Sequence, residues 1–239
     1  MSEIKIAIVT GASKGIGKVI ALKLASLNYS LVLVGRSEKH LAALKQQIEE
    51  MGSSCLSLAV DLSEESAPEK IVRETIAHFG QIDLLVNNAG LAQSAAISET
   101  DIETWNNIFK VNARAPFFLC KAAVPFLKKN EKPIIINISS VVGFKGYAGQ
   151  AAYASSKHAL TGFTKVLAKE VQADGIRVHL ISPGGVNTEM VQEMRPDINT
   201  EELIQPEEIA ELVEFLVTRK GKGTIDQFYI RRESGLAFD

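Results

Sequence analysis

Short apolar, β-branched runs alternate along the chain with longer stretches whose apolar residues recur at helical spacing. The runs are Ile4 to Val9, Leu31 to Val34, Ser54 to Val60, Asp83 to Val86, Pro133 to Ile138, Ile176 to Ile181 and Ile225 to Ile230, and each predicts a strand. Between them, Glu38 to Met51 has helical periodicity with Gly52 as a stop, and Pro206-Glu207-Glu208 has the proline and acids of a first helical turn. Strands that alternate with helices imply parallel neighbours, because parallel strands need a crossover connection. The pattern therefore predicts an α/β fold: a doubly wound, seven-stranded parallel sheet with helices on both faces. No repeat, low-complexity tract or Gly/Ser/Pro-rich linker breaks it, so residues 1–239 read as a single domain. The exception in texture is Met190 to Gln205, a polar stretch containing Pro196.

Composition narrows the function classes. With 46% hydrophobic and 23% charged residues the chain is ordinary for a soluble globular protein, and a net charge of −2 gives no reason to invoke nucleic acid or an anionic membrane. No apolar run approaches the roughly 18 residues that span a bilayer. The start, Met1-Ser2-Glu3-Ile4-Lys5, lacks the regions of a signal peptide, so a cytoplasmic location is expected. Cys55 and Cys120 suit buried thiols in a reducing compartment better than a disulfide. His40, His78, His158 and His179 are scattered without ligand spacing, so no metal is expected.

Candidate chemistry begins where the first strand runs into Thr10-Gly11-Ala12-Ser13-Lys14-Gly15-Ile16-Gly17 and then a helix. Glycines permit a tight turn and the close approach of a pyrophosphate, which free amides and the helix dipole favour. The spacing is G-x-x-x-G-x-G, and a glycine-rich turn without a ligand has the same composition. Dinucleotide folds place an acid after the second strand for the ribose hydroxyls, or a base for a 2′-phosphate. Here that corner reads Gly35-Arg36-Ser37, with no acid before Glu38. Two cations, Lys14 and Arg36, are available to pair a phosphate, so NADP(H) is expected in preference to NAD(H).

Further along, Tyr153 and Lys157 lie four apart, on one face of a helix, with Ser140 thirteen residues before the tyrosine. With 4 tyrosines among 239 residues, roughly 0.3 such Tyr-Lys pairs arise by chance, so the surroundings must carry the claim. They do so jointly. Thr10-Gly11-x-x-x-Gly15-Ile16-Gly17, Asp61-Leu62, Asn87-Asn88-Ala89-Gly90, Asn112, Ser140, Tyr153-x-x-x-Lys157 and Pro183-Gly184 follow one another in the order of a known family. Over almost its whole length the chain resembles the short-chain dehydrogenase/reductase family, whose fold is a Rossmann-type doubly wound sheet.

The resemblance implies a cofactor-binding half at about residues 1–110 and a catalytic, substrate-binding half at about 111–239. It implies that Gly11, Ser13, Lys14, Gly15, Ile16 and Gly17 cradle the cofactor, with Arg36 and Ser37 at its adenosine ribose. Asp61 with Leu62 would meet the adenine, Asn88, Ala89 and Gly90 would support the cofactor side of the sheet, and Pro183, Gly184, Val186 and Thr188 would wrap the nicotinamide. Reducing a carbonyl needs a proton for the oxygen as well as hydride for the carbon. Tyr153 is the proton donor in this scheme. Lys157, a cation beside a phenol whose ordinary pKa is near 10, would stabilise the phenolate and also bond the nicotinamide ribose. Ser140, rather than its neighbour Ser139, matches the family's serine and would donate to the substrate oxygen. Asn112 would hold a water that relays protons to Lys157.

Within the family the chain resembles bacterial 3-oxoacyl-acyl-carrier-protein reductases, with departures in two places. The segment between Pro183-Gly184 and Pro206 is short, and Thr224 to Arg232 replaces the usual glycine-rich ending. That ending is closer to 3-hydroxy acid dehydrogenases and sepiapterin-type reductases, which stand as alternatives. A small carbonyl or alcohol substrate is implied, as is a homodimer or homotetramer. Substrate walls are expected from Gly90 to Ser94, Phe144 to Gln150 and Gly185 to Met194, with Lys145 or Arg195 placed to meet a carboxylate. A non-enzymatic alternative is an NADPH-binding sensor or scaffold on the same fold. Lys128, Lys129 and Lys132 read as a solvated helix end, and Trp105 with Phe109 as packing.

Overall fold

The structure is a computed structural model that describes residues 4–194 and 198–236. Its seven strands are β1 (Lys5–Thr10), β2 (Tyr29–Gly35), β3 (Cys55–Ala59), β4 (Leu84–Asn87), β5 (Ile134–Ile138), β6 (Arg177–Pro183) and β7 (Gln227–Ile230). They form one sheet in the order β3-β2-β1-β4-β5-β6-β7, and every pairing is parallel. Each falls on a run expected from the sequence, with ends shifted by a residue or two where hydrogen bonding rather than hydrophobicity decides the limit.

Parallel strands covered on both faces must be apolar on both faces, and these are. Along β1, β2 and β5 alternate residues enter opposite cores. Ala7, Val9, Leu31, Leu33, Ile134 and Ile136 pack in one, whereas Ile6, Ile8, Val32, Val34 and Ile135 pack in the other. Helices α1 (Gly15–Ser26), α2 (Glu38–Glu50) and α8 (Pro206–Thr218) cover the first face, through residues such as Ile20, Leu24, Leu41, Ile209 and Val213. Helices α3 (Ala67–Phe79), α5 (Ala115–Leu127) and α6 (Ala151–Glu170) cover the second, through Ile71, Leu119, Ala123 and Phe163. Helix α4 (Ile102–Phe109) leads into a widened π turn at Lys110–Arg114, and Trp105 stacks on Phe109 with ring centroids 4.7 Å apart.

One stop signal and one start signal act as expected. Gly52 takes a positive φ of 88° after α2, and Pro206 opens α8 beneath a Gln205–Glu208 capping box. Among its described residues, the polar stretch Met190 to Gln205 holds two short helical elements. It begins inside a short helix, α7 (Glu189–Met194), and carries a 3₁₀ turn at Thr200–Glu202. Pro196 and Arg195 lie outside the described residues.

The strand order places the chemistry. From β1 the chain winds outward through β2 to β3, then crosses back to lay β4 against the other side of β1. The loops leaving β1 and β4 therefore diverge, opening a crevice at the carboxyl ends of the strands. Thr10 Oγ1 accepts from the backbone N–H groups of Asn88 and Ala89 at 3.0 and 3.1 Å, and the Asn88 side chain donates to the Thr10 carbonyl at 3.0 Å. The crevice is thus stapled at its base. Ile136 is fully buried at the centre of β5. Ile136→Ala is expected to lower unfolding free energy by about 2–5 kcal/mol in urea titrations, through lost burial and a residual cavity.

Candidate active site

The crevice is a cleft of about 440 Å³. Its first end is the glycine turn. Gly11 and Gly15 have positive φ values of 67° and 55°, and a Cβ on Gly11 would lie 2.9 Å from Ala89 Cα. Only glycine brings this backbone to the cleft wall without collision. Ser13, Lys14 and Ile16 line the same wall. Ser13 Oγ is buried without a hydrogen-bond partner among the described residues, and a Cβ on Gly35 would lie 2.2 Å from it. A buried hydroxyl without a partner costs free energy, so its position in the wall suits an acceptor oxygen such as that of a phosphate.

Arg36 and Ser37, at the end of β2, form the corner beside this turn, joined by His40 from the first turn of α2. Ser37 caps α2 by accepting from the His40 N–H at 3.3 Å. Asp61 and Leu62 follow β3 on the floor. The Asp61 carboxylate accepts from Ser63 N–H at 2.8 Å, which holds its pKa below the usual range, with the charge of Arg36 adding to the effect. Asn88, Ala89 and Gly90 line the opposite side, followed by Leu91.

At the far end stand Ser140, Tyr153 and Lys157. Strand β5 ends at Ile138, and its carbonyl accepts from Lys157 Nζ at 2.9 Å. Ser140 caps a 3₁₀ turn, accepting from Val142 N–H at 3.3 Å and donating to the Pro183 carbonyl at 3.3 Å. Ser139 also lines the cleft, but its hydroxyl is engaged behind it with Thr161 Oγ1 at 3.0 Å and the Lys157 carbonyl at 3.4 Å. Tyr153 shares its hydrogen bond with Ser140.

Burial controls the electrostatics here. It pushes the Tyr153 phenol above its ordinary value, opposed by the hydrogen bond to Ser140. Lys157, 4% exposed, is driven down to about 8 by the same loss of water. Its ammonium stands 5.9 Å from the centre of the Tyr153 ring.

Three details of the cleft were not given by the sequence. Gly17 and Asn112 do not line the cleft. A Cβ on Gly17 would lie 2.3 Å from the Gly11 carbonyl, so this glycine lets the turn fold back on α1. Asn112, 1% exposed in the π turn, uses its side chain to accept from Leu91 N–H at 2.7 Å and to donate to the Leu91 carbonyl at 2.7 Å and Ser156 Oγ at 3.0 Å. Second, Lys14 is not a free cation: it is ion-paired with Glu189 at the start of α7. Third, Phe144 to Gln150 contributes nothing to the described cleft wall. Its end is tied instead to the Ala95 strand bridge, Ala95 N–H donating to Gly149 O at 2.8 Å, and the Lys145 ammonium stacks over Tyr147 and Tyr229 at 6.0 and 5.7 Å.

Pro183, Gly184, Val186 and Thr188 close the cleft from β6 onward, and with them come Met190 and Val191, within the expected Gly185 to Met194 wall. The sequence did not mark Asn107, Val111 or Ser156, gave His40 only as an isolated histidine, and covered Glu189 only within the Gly185 to Met194 wall. Ser156 carries a local signal, lying between Tyr153 and Lys157: it donates to the Tyr153 carbonyl at 2.7 Å and accepts from Asn112. Glu189 carries none, since its partner is 175 residues away.

The sequence model described as short chain dehydrogenase matches residues 5–199. The chain belongs to the short-chain dehydrogenase/reductase family. It is therefore an oxidoreductase by family. An uncharacterized oxidoreductase of Staphylococcus epidermidis is 34% identical over 95% of this chain and 96% of its own length. A 3-oxoacyl-[acyl-carrier-protein] reductase of Escherichia coli is 36% identical over 90% of this chain and 91% of its own. Among solved structures, a metagenomic short-chain oxidoreductase in complex with NADP superposes with a TM-score of 0.84 at 34% identity, over 95% of this chain and 97% of the other.

The state of Lys157 has a consequence for stability. Folded Lys157 releases its proton near pH 8 and the unfolded residue near 10.5, so the cost of burying its charge is fully present below pH 8 and vanishes as pH rises through that window. The stability of the wild type relative to Lys157→Met, measured without cofactor, is expected to rise by roughly 3 kcal/mol between those limits. A difference that stays flat with pH would contradict the desolvation.

Proposed function

We propose that this enzyme is an NADP(H)-dependent carbonyl reductase acting on a 3-oxoacyl thioester or a related ketone. The observation that carries the reading is the convergence of Ser140, Tyr153 and Lys157 at one end of a cleft whose other end presents Arg36 and a glycine turn. The buried, partnerless Ser13 hydroxyl and the glycine-lined wall fit a dinucleotide phosphate. Gly11, Ser13, Gly15 and Ile16 would hold that phosphate, Arg36 and Ser37 the adenosine ribose, Asp61 and Leu62 the adenine, and Pro183 to Thr188 the nicotinamide. Bound there, the nicotinamide supplies hydride to the substrate carbon.

The protein supplies the rest. A phenol raised by burial keeps its proton at neutral pH, so Tyr153 is loaded as an acid before the carbonyl oxygen gains charge. Ser140 would turn its one hydroxyl proton from the Pro183 carbonyl to that oxygen, in the place where charge develops. As Tyr153 gives up its proton, the Lys157 ammonium beside its ring stabilises the phenolate left behind. Asn112, held in the π turn, would hold the water that relays protons to Lys157.

Leu91, Met190 and Val191 give the cleft apolar wall suited to an acyl chain, in keeping with the Escherichia coli relative's 3-oxoacyl substrate. We place the enzyme in the cytoplasm, where its buried free cysteines stay reduced. Among the described residues, no helix is long and apolar enough to cross a membrane. Phe117, Phe118 and Val166 are 48%, 43% and 54% exposed on α5 and α6, an apolar surface that supports a homodimer or homotetramer.

Tyr153→Phe is expected to abolish reduction of an acetoacetyl thioester while NADPH still quenches or gains fluorescence on binding; substantial remaining turnover would sink the mechanism. Arg36→Ala is expected to lower the ratio of NADPH to NADH affinity by about tenfold, the scale of a charge-assisted phosphate contact. An unchanged ratio in equilibrium titrations would remove the NADP(H) assignment.

A further inference from the structure

We propose that Glu189 is an internal competitor for Lys14, so that a cofactor bearing a phosphate on its adenosine ribose must displace this carboxylate, and that Glu189 thereby sets the balance between the phosphorylated and unphosphorylated dinucleotides. The inference rests on the NADP(H) reading above. Lys14 stands at the head of α1 and Glu189 at the head of α7, and both line the same cleft. Their side chains meet as an ion pair across its mouth. The backbones are close as well: a Cβ on Gly15 would lie 3.2 Å from Thr188 Cγ2, so the segment after β6 rests directly on the glycine turn.

The surroundings show why this pair matters for a phosphate. Arg36, Ser37 and His40 line the corner next to Lys14, which makes it the most cationic part of the cleft. Asp61 lies on the Arg36 side, and Glu189 is the acid that reaches Lys14 from the opposite wall. Its carboxyl is held below the usual range by the hydrogen bond and charge of Lys14, with His40 contributing, so it is ionised at neutral pH. A 2′-phosphate carries more negative charge than one carboxylate and takes Lys14 from it. Glu189 then faces the phosphate as a like charge. A dinucleotide without that phosphate leaves the pair intact, and its affinity is indifferent to Glu189.

Both side chains are more than half exposed, at 55% and 63%, so solvent screens the pair and the expected effect is a matter of a few-fold. The test is equilibrium binding of NADPH and NADH to the wild type, Glu189→Gln, Lys14→Gln, the double variant and Arg36→Ala, with thermal melts confirming that each is folded. Glu189→Gln is expected to tighten NADPH by about threefold and leave NADH unchanged. Most of that gain should vanish in the Lys14→Gln background, because the competition needs Lys14. Three results would overturn the proposal: NADPH affinity unchanged, both cofactors weakened alike, or an equal gain with Lys14 replaced. If Arg36→Ala leaves the NADPH-to-NADH ratio unaltered, the NADP(H) reading itself fails and this inference falls with it. If it shifts the ratio, that reading stands and Glu189→Gln, by itself and in the Lys14→Gln background, decides.

Discussion

The reversal of strand order between β1 and β4 is the constraint on which the rest depends. A parallel sheet that winds outward from β1 to β3 and then returns to β4 must send its next loops apart, and the gap between them cannot be filled by a crossover helix. Closing that gap at its base requires side chains that satisfy diverging backbone groups. Thr10 and Asn88 do so with hydrogen bonds of 3.0 to 3.1 Å. The glycine turn follows directly, because the backbone after Thr10 must bend back to α1 within touching distance of Asn88 and Ala89.

The same topology explains the burial at the opposite end. Strand β5 is flanked by β4 and β6, and its terminal carbonyl at Ile138 has no strand partner beyond it, so a side chain must supply one. Lys157 does so from α6, at the cost of losing most of its hydration. A second chain of hydrogen bonds runs from Leu91 through Asn112 and Ser156 to the Tyr153 carbonyl. It ties the wall of the cleft that follows β4 to the helix that carries the tyrosine. Two elements 44 residues apart, joined at Asn112 and Ser156, are thereby held in one register.

Much of this was legible in the chain. Strands such as β2 and β5 are apolar at nearly every position, a local property that survives without knowledge of partners, and all seven runs became strands. Local chemistry also marked the glycine turn, the Tyr153-Lys157 spacing and the Pro206 helix start. The helix α7 escaped because its six residues carry no apolar stripe long enough to show a period. Nothing in the neighbours of Asn112 reveals that Leu91 would occupy its side chain.

The distinction lies in the range of the interaction. Hydrophobic periodicity, glycine at a tight turn and residues four apart on a helix depend on a few neighbours in the chain, and so the sequence alone determined the parallel sheet, the family and the candidate catalytic residues. Which charges meet depends on how α1 and the segment after β6 fold over one cleft. Tertiary structure alone decided that Lys14 is paired with Glu189, that the Ser139 hydroxyl is engaged with Thr161, and that burial raises the Tyr153 phenol. Each of those outcomes requires distances across the sheet and the removal of water, and neither is written in any local stretch of the chain.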